Sequence, residues 1–209
     1  MQIISIEPLP ASKKRKRIRL DTGESFVLYA GEIRRMPELT VDGFLSEETF
    51  SHIRNDILLP RAKKRCLHLL EKQDRTRADL YMKLTSSGYP ADIADAAIDY
   101  AASYGYVDDR RYASNFIYFH QEKKSRRRLT EDLLRKGIDK DIIEECLDEA
   151  ILSSEESKIM KLLEKKHYDP SETDAKEKSR IIRFLLGRGF EYDRVREAMS
   201  SFDGTDIAF

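Results

Sequence analysis

Apolar positions along this chain fall into a pattern that closes three times on a glycine: Leu80, Leu84 and Gly88-Tyr89; Leu129, Leu133 and Gly137-Ile138; Ile181, Leu185 and Gly189-Phe190. In each copy two aliphatic side chains four apart share one helix face, and the glycine four further on can take the left-handed conformation that ends a helix. A second apolar stripe follows each turn: Ile93, Ala97 and Ile98; Ile142, Cys146 and Leu147; Val195, Ala198 and Met199. Each copy therefore reads as helix, glycine turn, helix. The first two copies are offset by 49 residues (Leu80 to Leu129, Gly88 to Gly137), and the third glycine follows the second by 52, which leaves room for one more helix per copy. Leading helices are expected at Arg61 to Lys72, Asp108 to Lys123 and Ser153 to Lys166, on apolar sets such as Leu67/Leu70, Tyr112/Phe116/Phe119 and Ile159/Leu162/Leu163. Units this small bury little alone. The pattern thus predicts a mainly α protein of three tandem three-helix repeats, stacked to share a core and forming an elongated body.

The first 58 residues alternate differently. Gln2 to Glu7, Ile18 to Leu20 and Ser25 to Tyr29 are strand candidates, with Asp21-Thr22-Gly23 as the hairpin turn between the last two. Ser46-Glu47-Glu48-Thr49 has the spacing of a capped helix start, followed by Phe50, Ile53 and Ile57/Leu58 as an apolar face, and Pro60 is expected to end or redirect that helix. Three short strands are marginal by themselves, so this small β-rich module should dock on the first repeat. The segmentation that follows is 1–58 for the β-rich module with its helix, 59–107 for repeat one, 108–152 for repeat two and 153–209 for repeat three.

Composition narrows the chemistry. Thirty-eight basic residues balance thirty-eight acidic ones, so whole-molecule attraction to nucleic acid is absent and any polyanion site must be local. No apolar run reaches the length of a membrane span, and Lys13 to Arg17 interrupt the N-terminal isoleucines before a signal core can form, so a cytoplasmic protein without membrane contact is expected. Cys66 and Cys146 lie 80 residues apart inside apolar stripes and read as reduced core residues; His52, His68, His120 and His167 are scattered. No metal, cofactor or catalytic residue is expected. Neither a phosphate-binding glycine loop nor a nucleophile elbow nor an HExxH helix is present, which argues against an enzyme.

Charge is banded. Lys13 to Arg17 enter the second strand, and Arg61, Lys63, Lys64 and Arg65 open repeat one. Between Lys123 and Lys136, seven basic residues (Lys123, Lys124, Arg126, Arg127, Arg128, Arg135, Lys136) meet two acids, whereas eight acids face one lysine between Ile138 and Ser157. Arg128 with Asp132 and Glu131 with Arg135 have helical ion-pair spacing, whereas Arg126 and Arg127 are taken as the cations without such a partner, available for phosphates or an acidic surface. A major-groove recognition helix is disfavoured, because the third repeat has no equivalent cluster and no half-site symmetry is visible.

Gly105-Tyr106-Val107-Asp108-Asp109-Arg110-Arg111-Tyr112-Ala113 joins repeats one and two. Asp108 is a candidate N-cap, Asp109 complements the helix dipole, and Val107 can staple onto Tyr112. This segment, with Arg75 to Leu84 ending in Gly88-Tyr89 before it and Arg128-Leu129 through Leu133 to Lys136-Gly137-Ile138 after it, resembles the RecX family of bacterial RecA regulators over residues 61 to 202. Val107 stands where leucine is usual, Tyr112 where phenylalanine is common, and His167 to Lys178 look like an inserted loop. The resemblance implies a nonenzymatic modulator that binds the RecA filament on single-stranded DNA and restrains filament growth, ATP hydrolysis and strand exchange; a monomer is expected. It makes Arg61, Lys63, Lys64, Arg65, Arg110, Arg111, Lys123, Lys124, Arg126, Arg127, Arg128, Arg135 and Lys136 candidates for contact with RecA or DNA. Gly105, Tyr106, Val107, Asp108, Asp109 and Tyr112 would then set the angle between repeats one and two. The alternative reading is a helical-repeat protein that binds DNA directly and without RecA.

Overall fold

A computed structural model describes residues 1–10, 12–150 and 153–202, and two compact units divide the chain at Asp108/Asp109. The ends of the expected second and third repeats, at 151–152 and 203–209, lie outside the described residues. Strands β1 (Ile3–Leu9), β2 (Ser12–Leu20) and β3 (Ser25–Tyr29) form an antiparallel sheet in the order β1-β2-β3, with Ile6 opposite Ile18 and Ile18 opposite Phe26. Gly23 closes the β2–β3 hairpin at φ +87°. β3 has the bounds that the alternation indicates, β1 runs two residues further, to Leu9, and β2 starts six residues earlier, at Ser12, so that the basic run from Lys13 to Arg17 lies within it and Arg15, Lys16 and Arg17 pair with Tyr29, Leu28 and Val27. A short helix α1 (Ala30–Arg34), which the apolar pattern does not announce, follows β3.

Alternation places Ile18, Leu20, Phe26 and Leu28 on the inner face, where they join Ala62, Cys66, Leu80, Leu84, Ile93 and Ile98 in one core. The sheet is docked on the first repeat as the marginal size of a three-stranded module requires. Val27, on the opposite face of β3, is buried as well, because the turn at Gly88 packs against it: a Cβ on Gly88 would lie 2.3 Å from Val27 Cγ2. Arg15 of β2 donates a hydrogen bond from its guanidinium to the Ser87 carbonyl in the same turn.

Pro60 does not end a helix. Helix α2 (Glu47–His52), capped by Ser46 accepting the Thr49 amide at 3.0 Å, continues through a π-helical segment, Ile53–Leu58, into α3 (Leu59–Leu70). Leu59 donates its amide to Arg54, five residues back, so the widened turn lies directly before the residue that lacks an N–H and whose ring would crowd a regular turn. The N-terminal module and the first repeat are therefore joined by continuous helix.

Helices α3, α4 (Arg77–Ser86) and α5 (Ala91–Ser103) form the first triple in the first unit. The second unit holds α6 (Asp109–His120), α7 (Arg126–Arg135) and α8 (Lys140–Glu149), then α9 (Glu155–Lys165), α10 (Ala175–Leu186) and α11 (Tyr192–Ser201). The chain is thus mainly α-helical, with three three-helix repeats and a small N-terminal sheet. All three turn glycines are left-handed: Gly88 at φ +93°, Gly137 at +75° and Gly189 at +88°. The middle helices start at side-chain caps, Thr76, Ser125 and Asp174, which accept the amides of Asp79, Arg128 and Glu177. The cap stands four residues before the first aliphatic in α4 and α7 but seven before Ile181 in α10. The extra length of repeat three therefore lies in residues 166–174 and in the added first turn of α10, while the spacing from Ile181 to Gly189 is preserved.

Candidate functional site

The first turn of α7 carries the densest basic run, and Ser125 fixes it from both sides. Its hydroxyl accepts the Arg128 amide at 3.1 Å and donates to the Gly189 carbonyl at 2.8 Å, while its own amide donates to the Arg188 carbonyl at 3.1 Å. The glycine turn of repeat three is thereby pinned to the N-terminus of α7, and Ser125 is fully buried in that joint.

The arginines that follow point in different directions. Arg126 is not unpartnered: it donates to the Leu147 carbonyl at 3.3 Å and pairs with Asp148 at 2.6 Å, so it closes the C-terminal end of α8. Arg127 also has a partner, Glu131 one turn on, but only at 3.6 Å and with most of its side chain in solvent. Arg128 reaches Glu131 at 3.5 Å and Asp132 at 3.4 Å. Arg135 pairs with Asp132 at 2.5 Å, while its contact with Glu131 is to the backbone carbonyl. Asp132 is the hub of this face, since Lys124 also binds it at 2.8 Å. Burial pushes the Asp132 carboxyl up, but the Lys124 hydrogen bond and the charges of Lys124, Arg128 and Arg135 outweigh it, and the group lies below its ordinary value.

The acidic band after Gly137 folds back onto the same repeat. Arg110 of α6 pairs with Glu145 and Glu149 of α8, just as Arg126 pairs with Asp148. Several cations that sequence spacing offers to a partner are thus already engaged by the second band. Lys136 stands over the rings of Tyr112 and Phe116 at 5.4 and 5.5 Å, Lys124 over Phe116 at 5.0 Å, and Lys123 and Arg111 are exposed.

In the first unit the basic opening of α3 divides by helix face. Arg61 is an internal tether, paired with Glu32, donating to the Val27 carbonyl at 3.4 Å and stacked 4.8 Å over Tyr29. Lys63 lies 4.3 Å over Tyr100. Lys64 and Arg65 face solvent, and among the described residues neither has a carboxylate within ion-pair distance.

The Gly105 to Ala113 segment straddles the two units. Gly105 is left-handed at φ +72°, Tyr106 is exposed and stacks with Tyr104 at 6.3 Å, and Val107 is buried in the core of the first unit. Asp108 precedes α6, whose first residue is Asp109, and Tyr112 packs against the core of the second unit.

Sequence spacing missed one cationic pair. Lys166, at the end of α9, and Arg188, in the α10–α11 turn, both stand over the ring of Phe184, at 4.6 and 3.5 Å. They are 22 residues apart in sequence, so no local run betrays them; the only signal is that each follows the end of a helix.

Both cysteines are free and buried. Among the described residues no group of three His, Cys, Asp or Glu side chains could hold a metal ion, and no helix is long and apolar enough to cross a membrane.

Comparison with known proteins matches three family domains in order: "RecX, first three-helix domain" over residues 62–100, "RecX, second three-helix domain" over 108–147 and "RecX, third three-helix domain" over 154–199. The chain is 25% identical to the regulatory protein RecX of Clostridium botulinum (strain Eklund 17B / Type B), spanning 95% of this chain and 94% of that one. It is 33% identical to the regulatory protein RecX of Mycobacterium ulcerans (strain Agy99), over 62% of this chain and 78% of the relative. Among solved structures, the crystal structure of RecX from Lactobacillus salivarius superposes with a TM-score of 0.56 at 26% identity, covering 70% of this chain and 97% of that one. A crystal structure of a regulatory protein RecX shares the fold over 96% of this chain and 99% of that one, with a TM-score of 0.58 at 20% identity.

Proposed function

This chain belongs to the RecX family, and we propose that it regulates RecA by binding the RecA filament on single-stranded DNA, restraining filament growth, ATP hydrolysis and strand exchange. The observation that supports this most is the ordered set of three RecX three-helix domains, accompanied by full-length similarity to regulatory proteins of that name. No enzymatic step is assigned to it.

The geometry re-weights the contact candidates. Arg61, Arg110 and Arg126 hold the protein's own elements together, so their removal would perturb structure before binding. Lys64 and Arg65 on α3, with Lys123 and Arg127 around the start of α7, keep their charge in solvent and lead the list of residues offered to RecA or its DNA.

RecA ATPase on single-stranded DNA tests the proposal. Lys123→Ala with Arg127→Ala should raise the concentration needed for half-maximal inhibition several-fold while the circular dichroism spectrum is unchanged; unaltered inhibition removes these two residues from the interface. If the protein binds naked DNA as tightly as the RecA–DNA mixture, the RecA-independent reading replaces this one.

A further inference from the structure

We infer that Lys166 and Arg188, held on Phe184, are a phosphate-anchoring point for single-stranded nucleic acid, extending the cationic surface of α7 onto repeat three. One ring carries two cations, at 4.6 and 3.5 Å from its centre, and among the described residues neither has a carboxylate partner. Each is partly offset by a helix end. Lys166 caps α9, and Arg188 donates to the Phe184 carbonyl near the end of α10 at 3.4 Å. A helix terminus supplies only about half a charge, so two such ends leave roughly one of the two full positive charges uncompensated. Arg188 is also costly to place. Its Nε is buried without a hydrogen-bond partner, and burial pulls its guanidinium below the ordinary value. Aromatic stacking fixes the cation in that position, and the residue remains partly exposed to a ligand.

Position relative to α7 indicates what kind of ligand. The Arg188 carbonyl accepts the Ser125 amide, and the adjacent Gly189 lies so close to α7 that a Cβ there would come 2.6 Å from Arg128 Cβ. The pair on Phe184 therefore continues the surface that bears Lys123 and Arg127, across a joint fixed by buried hydrogen bonds. A track of cations contributed by two repeats suits a chain of regularly spaced anions. A phosphodiester backbone is such a chain, and single strands are held by grooves of this character. Because both cations occupy the Phe184 ring, base stacking there is not invoked.

The inference rests on the α7 surface being a polyanion surface and not on RecA, so its test omits RecA. Binding of a fluorescent oligothymidylate is measured by anisotropy over a salt series for the parent, for Lys166→Gln/Arg188→Gln, and for the charge-preserving Lys166→Arg/Arg188→Lys. Each lost phosphate contact should reduce the slope of log K against log salt by about 0.7, so the glutamine pair should lower it by roughly 1.4 and the charge-preserving pair should retain it. An unchanged slope in a folded glutamine pair overturns the assignment. So does absent binding by the parent, or a selective loss of polyglutamate binding, which would mark an acidic protein surface instead. Failure of the RecA reading would show in the ATPase assay and leave these slopes as they are.

Discussion

The most exacting structural prediction concerns Gly189→Ala. Gly189 sits at φ +88°, where an L side chain is strained by about 1 to 2 kcal/mol. Its Cβ would also stand 2.5 Å from Ser125 Oγ and 2.6 Å from Arg128 Cβ. The hydroxyl cannot retreat without loss, because it both accepts the Arg128 amide and donates to the Gly189 carbonyl in a buried joint. Losing the cap costs about 1 kcal/mol. Breaking the buried hydrogen bond costs about 1 kcal/mol more. The expected total is about 3 to 4 kcal/mol. Amide hydrogen exchange resolves the effect by residue, since the Arg128 amide reports directly on the cap and local opening is read apart from the first unit. Protection at Arg128 should fall sharply in Gly189→Ala. Ser125→Ala should produce much of the same loss, and the double variant should cost clearly less than both singles added together. Retained protection at Arg128, or strict additivity with Ser125→Ala, would refute the pinned joint.

Gly88→Ala should destabilise the first unit well beyond Gly105→Ala. Both glycines are left-handed, but only at Gly88 would the new Cβ collide, at 2.3 Å from Val27 Cγ2, and equal unfolding midpoints for the two variants would contradict the docking of that turn on β3. Burial pushes the Cys66 thiol from 9.0 up to about 11. The folded chain therefore keeps a proton that the unfolded chain releases, and stability present below pH ~9 is lost as pH rises toward ~11. Thermal melting between these limits should fall more steeply for the parent than for Cys66→Ala, and parallel curves would show that Cys66 is not the group involved. Arg126→Ala should loosen the last turn of α8, detected as faster exchange of its C-terminal amides, because Arg126 holds both Leu147 and Asp148; unchanged exchange there would show that the pairing contributes nothing.

Much of the fold was legible because core positions must recur whatever the surface does. Leu80, Leu84, Leu129, Leu133, Ile181 and Leu185 are all buried, and each glycine after them adopts the conformation that the spacing requires. Pro60 ends no helix because its local cost is absorbed by the π-helical turn before it, a device with no composition signature. Helix α1 was missed because five residues carry no helical period, and none of them is buried. The surface was less legible. Ion-pair spacing along one helix cannot reveal a partner on another, so the capture of Arg126 by α8 and of Arg61 by Glu32 is visible only in three dimensions. The pairing of Arg127 is legible in the sequence, since Glu131 stands at helical spacing four residues on. Lys166 and Arg188 meet on Phe184 only after α9 and α10 pack, and their sequence separation hides them.

The function proposed for this protein is regulation of RecA. Titrating this protein into RecA on single-stranded DNA and following ATP hydrolysis at two salt concentrations tests it most directly. ATPase activity should fall to a saturating minimum, with a higher protein requirement at the higher salt and for Lys123→Ala/Arg127→Ala. ATPase activity unaffected at every ratio of folded protein to RecA would contradict the account.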